Sequence, residues 1–338
     1  MLIRCDVYPG FEDLARAQVF GEFFKARGFR VAYAVRKEGH DAARRFLGDD
    51  NIIYRIPVSE DGEVERIGYL HRKHKHQILY VDRRNLSSSY LFQVRRFFAS
   101  TVVLDRGSDF LIYGDIIINP AVGAPTHRYN CSSGAKLLLG PKFYFGANLA
   151  TPSSLEQLFV LLKGGENWER IKTLLLAMAD VADSLTVHVL CDPMGKVRSE
   201  LGPFKEANPQ FDVHPVIHSE DSLFPYDRYR LVLTQADEIC LDLAAWGVPF
   251  ATFAYRQDHL ENAYALNQLG VAPTLGWAQA KKPEEMTDFF RQCILDEARR
   301  TGFVTHGQQL LDGQGLARIA HSLPREERMP RAEEPQED

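Results

Sequence analysis

The sequence predicts an α/β protein built from two doubly wound, Rossmann-like domains, and three observations carry that expectation. Short apolar runs of strand length alternate with amphipathic stretches along nearly the whole chain. Near the middle, from Gly146 to Ser154, the sequence GANLATPSS is small and turn-prone, and the alternation restarts after it. The chain has 338 residues, more than the roughly 100–200 usual for one domain, so two cores are expected.

LIRCDVY opens the first domain as a strand. Residues 12–27 follow with Ala17, Phe20, Phe23 and Phe24 at helical spacing, and Gly28 stands where a left-handed C-terminal cap ends a helix, ahead of the strand FRVAYAV. This is a βαβ unit. NIIYRI, HQILYVD, STVVLD and GDIIIN are further strands, separated in places by helical stretches near 40–47 and 88–98, which predicts a mostly parallel sheet covered on both faces. In the second half LEQLFVLLKGG, LTVHVLCD, FDVHPVI, YRLVLTQ and VPFATFA are strands, with helical patterns near 167–181, 194–206, 237–246 and 258–269. Helical segments near 283–298 and 305–322 come next. The last stretch, PREERMPRAEEPQED, has nothing to pack and is expected to be disordered. The expected division is 1–148, 155–300, C-terminal helices 301–323 and a tail 324–338. Two such domains facing a cleft would place helix N-termini and strand C-termini toward a ligand.

Composition narrows the function. Lys and Arg number 40 against 45 Asp and Glu, a net charge of −5. Three arginines and six acids of that balance lie in the last fifteen residues, so the rest is near neutral, which argues against a nucleic-acid partner. No apolar run reaches the roughly 18–20 residues of a membrane span, and MLIRCDVYPG does not have a signal-peptide pattern. Five scattered cysteines without CxxC suit a reducing cytoplasm and neither a disulfide framework nor a thiolate zinc site. HRKHKH at 71–76 is expected to be a solvated basic loop, since its lysines and arginine would oppose a metal cation. Trp168 and Trp246 are expected in the core. No Walker loop, HExxH or GxSxG is present, and no cofactor or metal is expected.

The segment DVYPGFEDLAR, Asp6 to Arg16, followed by an apolar helix and RGFRVAYAV, resembles the opening of the UDP-sugar hydrolases of the pseudaminic acid pathway, whose signature there is GxGHxxR. YVD ending at Asp82, VVLD ending at Asp105, GDIIIN ending at Asn119 and LLLGPKFYF at 137–145 are similar to later elements of that family, in the same order. LKGGENW, with Gly164 and Gly165, resembles its SFGGSDP turn. LAAWGVPFATFAYRQDHLENAYALNQLG resembles the nucleotide-binding region shared with MurG-type glycosyltransferases. The resemblance covers roughly residues 1–275 and implies a GT-B architecture, with the nucleotide of an activated sugar held mainly by the second domain. It implies Gly10, Arg16, Asp82, Asp105, Asn119, Gly164, Gly165, Asp242 and Asn262 as substrate-binding positions.

Three departures fall where that family does its chemistry. Asp13 stands in place of the histidine thought to activate water, and a carboxylate at a helix start has less basicity than imidazole. Asp13 is either a base or a helix-start residue. Asp237 and Glu238 replace the Gly and Ser of a diphosphate-binding loop, so a phosphate within about 4 Å of one carboxylate would meet roughly 4 kcal/mol of repulsion at an effective dielectric of 20. Asp258-His259 replaces an Asn-Gln pair, with Asn262 retained, and Arg84 stands near where a tyrosine follows the Asp82 motif. His259 is the second candidate for proton transfer. These readings give a nucleotide-sugar-processing protein of surface or flagellin glycan (nonulosonic acid) biosynthesis, hydrolase-like. A GT-B glycosyltransferase and a non-catalytic binding relative are the alternatives. The sequence sets no oligomeric state.

Overall fold

The computed structural model describes residues 1–7, 12–146, 159–163, 167–179, 181, 186–191, 195–209, 211–217, 226 and 229–323, with the backbone alone for 159–163 and 217. Gly10, Gly164, Gly165, most of Gly146–Ser154 and the 324–338 tail lie outside the described residues. The chain divides into two compact units, Met1–Pro120 with Ala124–Ala147 and Gly313–Asp338, and Ala121–Gly123 with Asn148–Asp312.

The first unit runs β1 (Leu2–Cys5), α1 (Glu12–Lys25), β2 (Ala32–Arg36), α2 (His40–Leu47), β3 (Ile52–Ile56), α3 (Glu60–His74), β4 (Ile78–Asp82), α4 (Ser88–Arg95), β5 (Ser100–Leu104), β6 (Ile116–Asn119) and β7 (Lys136–Leu139). Its sheet has the order β3-β2-β1-β4-β5-β6-β7, and each neighbouring pair is parallel. β1, β4 and β5 are buried at every position, as parallel strands covered on both faces require, whereas the edge strands β3 and β7 show exposed residues. Phe20 of α1 stacks on Tyr80 of β4 with ring centroids 4.0 Å apart, seating the helix on the sheet. Gly28 has φ +85° and donates its N–H to the Lys25 carbonyl, closing α1 as the sequence indicates.

The second unit runs β8 (Phe159–Lys163), α5 (Trp168–Ala179), β9 (Thr186–Cys191), α6 (Lys196–Ala207), β10 (Asp212–Ile217), β11 (Leu231–Gln235), α7 (Ile239–Trp246), β12 (Phe250–Ala254), α8 (Gln257–Gln268), β13 (Thr274–Trp277), α9 (Pro283–Leu295) and α10 (Glu297–Leu310). Its parallel sheet has the order β10-β9-β8-β11-β12-β13. One core cluster contains Trp168, Leu201, Phe253 and Phe290, and another contains Trp246, Ile239, Leu266 and Val271. Both tryptophans are core residues.

Two expectations are corrected. HRKHKH is the end of a helix: His71 to His74 form the last turn of α3, Lys75 closes it at φ +55°, and His76 is buried. Val64, Ile67 and Leu70 are the buried stripe that makes this stretch helical, and basic side chains suit the negative end of the helix dipole. The helical segment at 305–322 is broken. α10 ends at Leu310, Gly313 takes φ +70°, and a separate helix α11 (Gly315–Ser322) belongs to the first unit.

α11 seats on the turn Pro141–Phe143. Arg318 Nη1 donates to the Lys142 carbonyl at 2.9 Å, and Lys136 Nζ to the Ser322 carbonyl at 3.2 Å. Gly315 lies so close that an added Cβ would stand 2.0 Å from the Tyr144 carbonyl oxygen. Because that obstacle is backbone, Gly315→Ala is expected to displace α11 and cost on the order of 1–3 kcal/mol. A lower apparent Tm, with earlier protease cleavage near residue 313, is the expected outcome, and an unchanged melt and digest would show that α11 is not seated this way.

Candidate functional site

In each sheet the chain runs outward in one direction and then reverses, between β1 and β4 in the first unit and between β8 and β11 in the second. Ligands of open α/β sheets bind outside the strand C-termini at such a reversal.

In the first unit Asp82 ends β4, and Asp13 lies in the first turn of α1 one turn before Arg16. Arg16 Nη2 donates to Asp13 Oδ1 at 2.6 Å, while its Nε and Nη2 reach Asp82 Oδ2 and Oδ1 at 2.9 and 3.2 Å. Two residues beyond β4, Arg84 donates from Nε to Asp13 Oδ2 at 2.7 Å and from Nη2 to Oδ1 at 3.4 Å. Beyond β5, Arg106 Nη2 bridges Asp82 Oδ1 at 2.7 Å and Asp13 Oδ1 at 3.0 Å. Asp105 is buried and accepts from the backbone N–H groups of Gly107 and Ser108 at 2.9 and 3.0 Å, which fixes the loop carrying Arg106. Asn119 is buried at the end of β6 beside Asp105, whose N–H bonds the Ile118 carbonyl at 2.8 Å. The structure therefore brings Asp13, Arg16 and Asp82 into one cluster, with Asp105 and Asn119 along the same sheet edge. It adds Arg106, which the sequence reading did not single out, and gives Arg84 a place in the cluster.

The environment of Asp13 decides its chemistry. Burial alone would raise its pKa, but the Arg16, Arg106 and Arg84 guanidiniums outweigh that and hold the carboxyl well below the usual range. A carboxylate held this way is a poor proton acceptor near neutrality. Its geometry is that of an anchor for three arginines.

In the second unit α7 begins at Ile239, so Asp237 and Glu238 stand at its N-terminus rather than inside it. Asp237 Oδ1 accepts from the Ile239 N–H at 3.3 Å. Asp242 is buried in the first turn. The first turns of α8 fold over this junction: His259 Nδ1 lies 3.0 Å from Gln235 Oε1, and Asn262 Nδ2 donates to the Ala236 carbonyl at 2.8 Å. The Gln235 side-chain amide oxygen can only accept, so His259 Nδ1 is the donor, and in the neutral ring the lone pair lies on Nε2. His259, Asn262 and the 236–242 segment therefore form a second constellation, 3.9 Å from His259 Nε2 to Asp258 Oδ2.

Stability reports the state of Asp13. Its folded-state pKa is depressed below the ordinary 3.8, so its contribution is fully present above that value and is lost only as pH falls through the lower folded value. Asp13→Asn removes one partner of a buried ionic cluster and is expected to cost roughly 3–5 kcal/mol. The loss measured by urea unfolding should be the same at pH 7 and pH 5. A loss that shrinks by pH 5 would show that the carboxyl is already taking up a proton there.

No family model and no curated protein matches the chain. Among solved structures it is similar to a glycosyltransferase from Rickettsia africae, with TM-score 0.66 and 10% identity over 95% of this chain and 96% of that one. MurG of Acinetobacter baumannii gives TM-score 0.62 and 11% identity, covering 95% and 97%. The glycosyltransferase VinC, solved in complex with dTDP, gives 0.60 and 10%, covering 95% and 100%. Likeness over nearly the whole length of each, on two sheets of Rossmann order, establishes that this chain has the GT-B fold.

Proposed function

We propose that the chain is a glycosyltransferase-type enzyme acting on a nucleotide-activated sugar, with the nucleotide at the β8–β11 reversal and the sugar or its acceptor at the β1–β4 reversal. The observation that carries this reading is that each sheet places a separate polar constellation at its own reversal point. One fold hosts many chemistries, so the residues and not the likeness must supply the reaction.

Glycosyl transfer forms a bond from the acceptor hydroxyl oxygen to the anomeric carbon, breaks the anomeric C–O bond to phosphate so that the nucleotide leaves with the electron pair, and passes the hydroxyl proton to a base. His259 is the group we assign to proton transfer, because Gln235 fixes its tautomer with the Nε2 lone pair available. Asn262 and Asp242 would hold the nucleoside. Arg16, with Asp82, Asp105 and Asn119 behind it, would orient the substrate in the first unit. Asp13 becomes a positioning residue.

Water in place of the acceptor gives the hydrolase reading, and with it a role in nonulosonic acid biosynthesis. The motifs ending at Asp82, Asp105 and Asn119 favour it, since they fall in family order at the ends of β4, β5 and β6. Transfer is preferred because the position where that family carries its water-activating histidine holds a carboxylate bound by three guanidiniums.

Calorimetric titration with UDP, CMP and their sugars, followed by assay of nucleotide release with and without acceptor sugars, separates these readings. Acceptor-dependent release supports transfer, acceptor-independent release supports hydrolysis, and binding without release marks a non-catalytic relative. Failure of every nucleotide and nucleotide sugar to bind overturns the proposal. Asp237 and Glu238 should make bare UDP a weak ligand, and the double change Asp237→Gly, Glu238→Ser should tighten it tenfold or more as the repulsion at the helix N-terminus is removed. Submicromolar UDP binding by the unmodified protein would show that the diphosphate sits elsewhere.

A further inference from the structure

The first unit's cluster is layered. Its two carboxylates lie at the bottom, with Asp82 and Asp13 side chains 0% and 3% exposed, and two of its guanidiniums form the outer layer, Arg106 at 25% and Arg84 at 35%. Each carboxylate holds at least two guanidiniums, so the arginines are fixed before any ligand arrives. The two outer arginine side chains are thus partly exposed at this reversal point while the carboxylates beneath them are not.

An ordinary structural ion pair does not need this arrangement. The neighbouring buried network shows the contrast: Arg4 is fully buried, donates to Glu63 Oε1 and Oε2 at 2.7 and 3.2 Å, and pairs with Asp6 at 2.8 Å, locking β1 to α3 from within. Arg84 and Arg106 instead come from loops that follow adjacent strands and converge at the ligand end of the sheet. Planar guanidiniums with fixed forks match the oxygens of phosphate and carboxylate, and a donor already held in place loses little freedom on binding.

We propose that Arg84 and Arg106, held from below by Asp13 and Asp82, form an oxyanion site that takes a phosphate or carboxylate group of the ligand handled by the first unit. The identity of that ligand as a sugar or acceptor rests on the function proposed above; the capture of an oxyanion does not, and it is tested without nucleotide. The substrate class follows: an anionic sugar or acceptor, in preference to its neutral counterpart.

The probes are glucose, glucuronate, glucose 6-phosphate and inorganic phosphate, used on the full chain. In the first arm the wild-type protein is treated with the arginine-selective reagent phenylglyoxal, and modification is read residue by residue by peptide mass spectrometry. The anionic probes should slow modification of Arg84 and Arg106 at least threefold, while glucose and added chloride should not. Protection by glucuronate alone identifies a carboxylate site, and protection by the two phosphates alone a phosphate site. In the second arm, binding of the protecting probe is measured by saturation-transfer NMR for Arg84→Lys and Arg106→Lys, which keep the charge above the carboxylates and lose the planar fork. Affinity should fall tenfold or more in folded variants. Equal protection by glucose, protection by none of the anions, or unchanged affinity in folded Lys variants overturns the proposal, and the footprint on the unmodified protein decides the matter if a variant does not fold.

Discussion

Parallel strands cannot be joined by tight turns. Each must be followed by a crossover that returns the chain to the same end of the sheet, and this connection constraint governs everything else in the molecule. It puts every strand C-terminus of a unit on one edge, so Asp82 at the end of β4, Asp105 just past β5 and Asn119 at the end of β6 share that edge. It also requires a place where the chain stops extending one side of the sheet and begins the other. In the first unit that place lies between β1 and β4, and neighbouring crossovers there diverge, leaving backbone and side chains that a continuous layer of helices would otherwise cover.

The buried charges make sense only against that geometry. A lone Asp82 at the end of a fully buried strand would be costly, and two guanidiniums, Arg16 from α1 and Arg106 from the loop after β5, offset it. Asp13 joins the same set from the start of α1, so one cluster ties a helix N-terminus to the ends of two strands. Moving any one of these elements would leave charge buried without its partner. The cluster therefore serves as a register device, in the way that buried ionic groups specify an arrangement more than they stabilise it.

Much of the scaffold could be read from residue order alone, because strand burial and helix periodicity are local properties. VVLD and IIIN are continuous apolar runs, and Gly28 marks the end of α1 with the one residue that adopts φ +85° without strain. What local pattern could not supply was pairing across distance. Asp13 and Arg106 are 93 positions apart, and only the strand order brings them within 3.0 Å. A faint signal existed, since each strand-ending aspartate is followed at once by arginine, in Asp82-Arg83-Arg84 and Asp105-Arg106. The end of α3 was hidden for a different reason: its basic residues dominate the composition, while the buried face upstream, Glu63, Val64, Ile67, Gly68 and Leu70, includes a glycine and a carboxylate and so shows only Val64, Ile67 and Leu70 as an apolar stripe. The break before α11 depends on the backbone freedom of Gly313 and on the close approach of Gly315 to Tyr144, and neither has a signature in hydrophobic periodicity.

The two reversal points carry opposite chemistry, and this is the feature that sets the chain apart from a generic pair of Rossmann-type sheets. The first presents arginines over carboxylates. The second presents Asp237 and Glu238 at the N-terminus of α7, where the helix dipole by itself would attract an anion, together with the amide of Asn262 and the imidazole of His259. Acids at a helix start occupy the electrostatic role that a phosphate would otherwise fill. The arginine cluster does the reverse. The two sheets share one pattern of strand order, and it is in the charge of the residues at their reversal points that they differ.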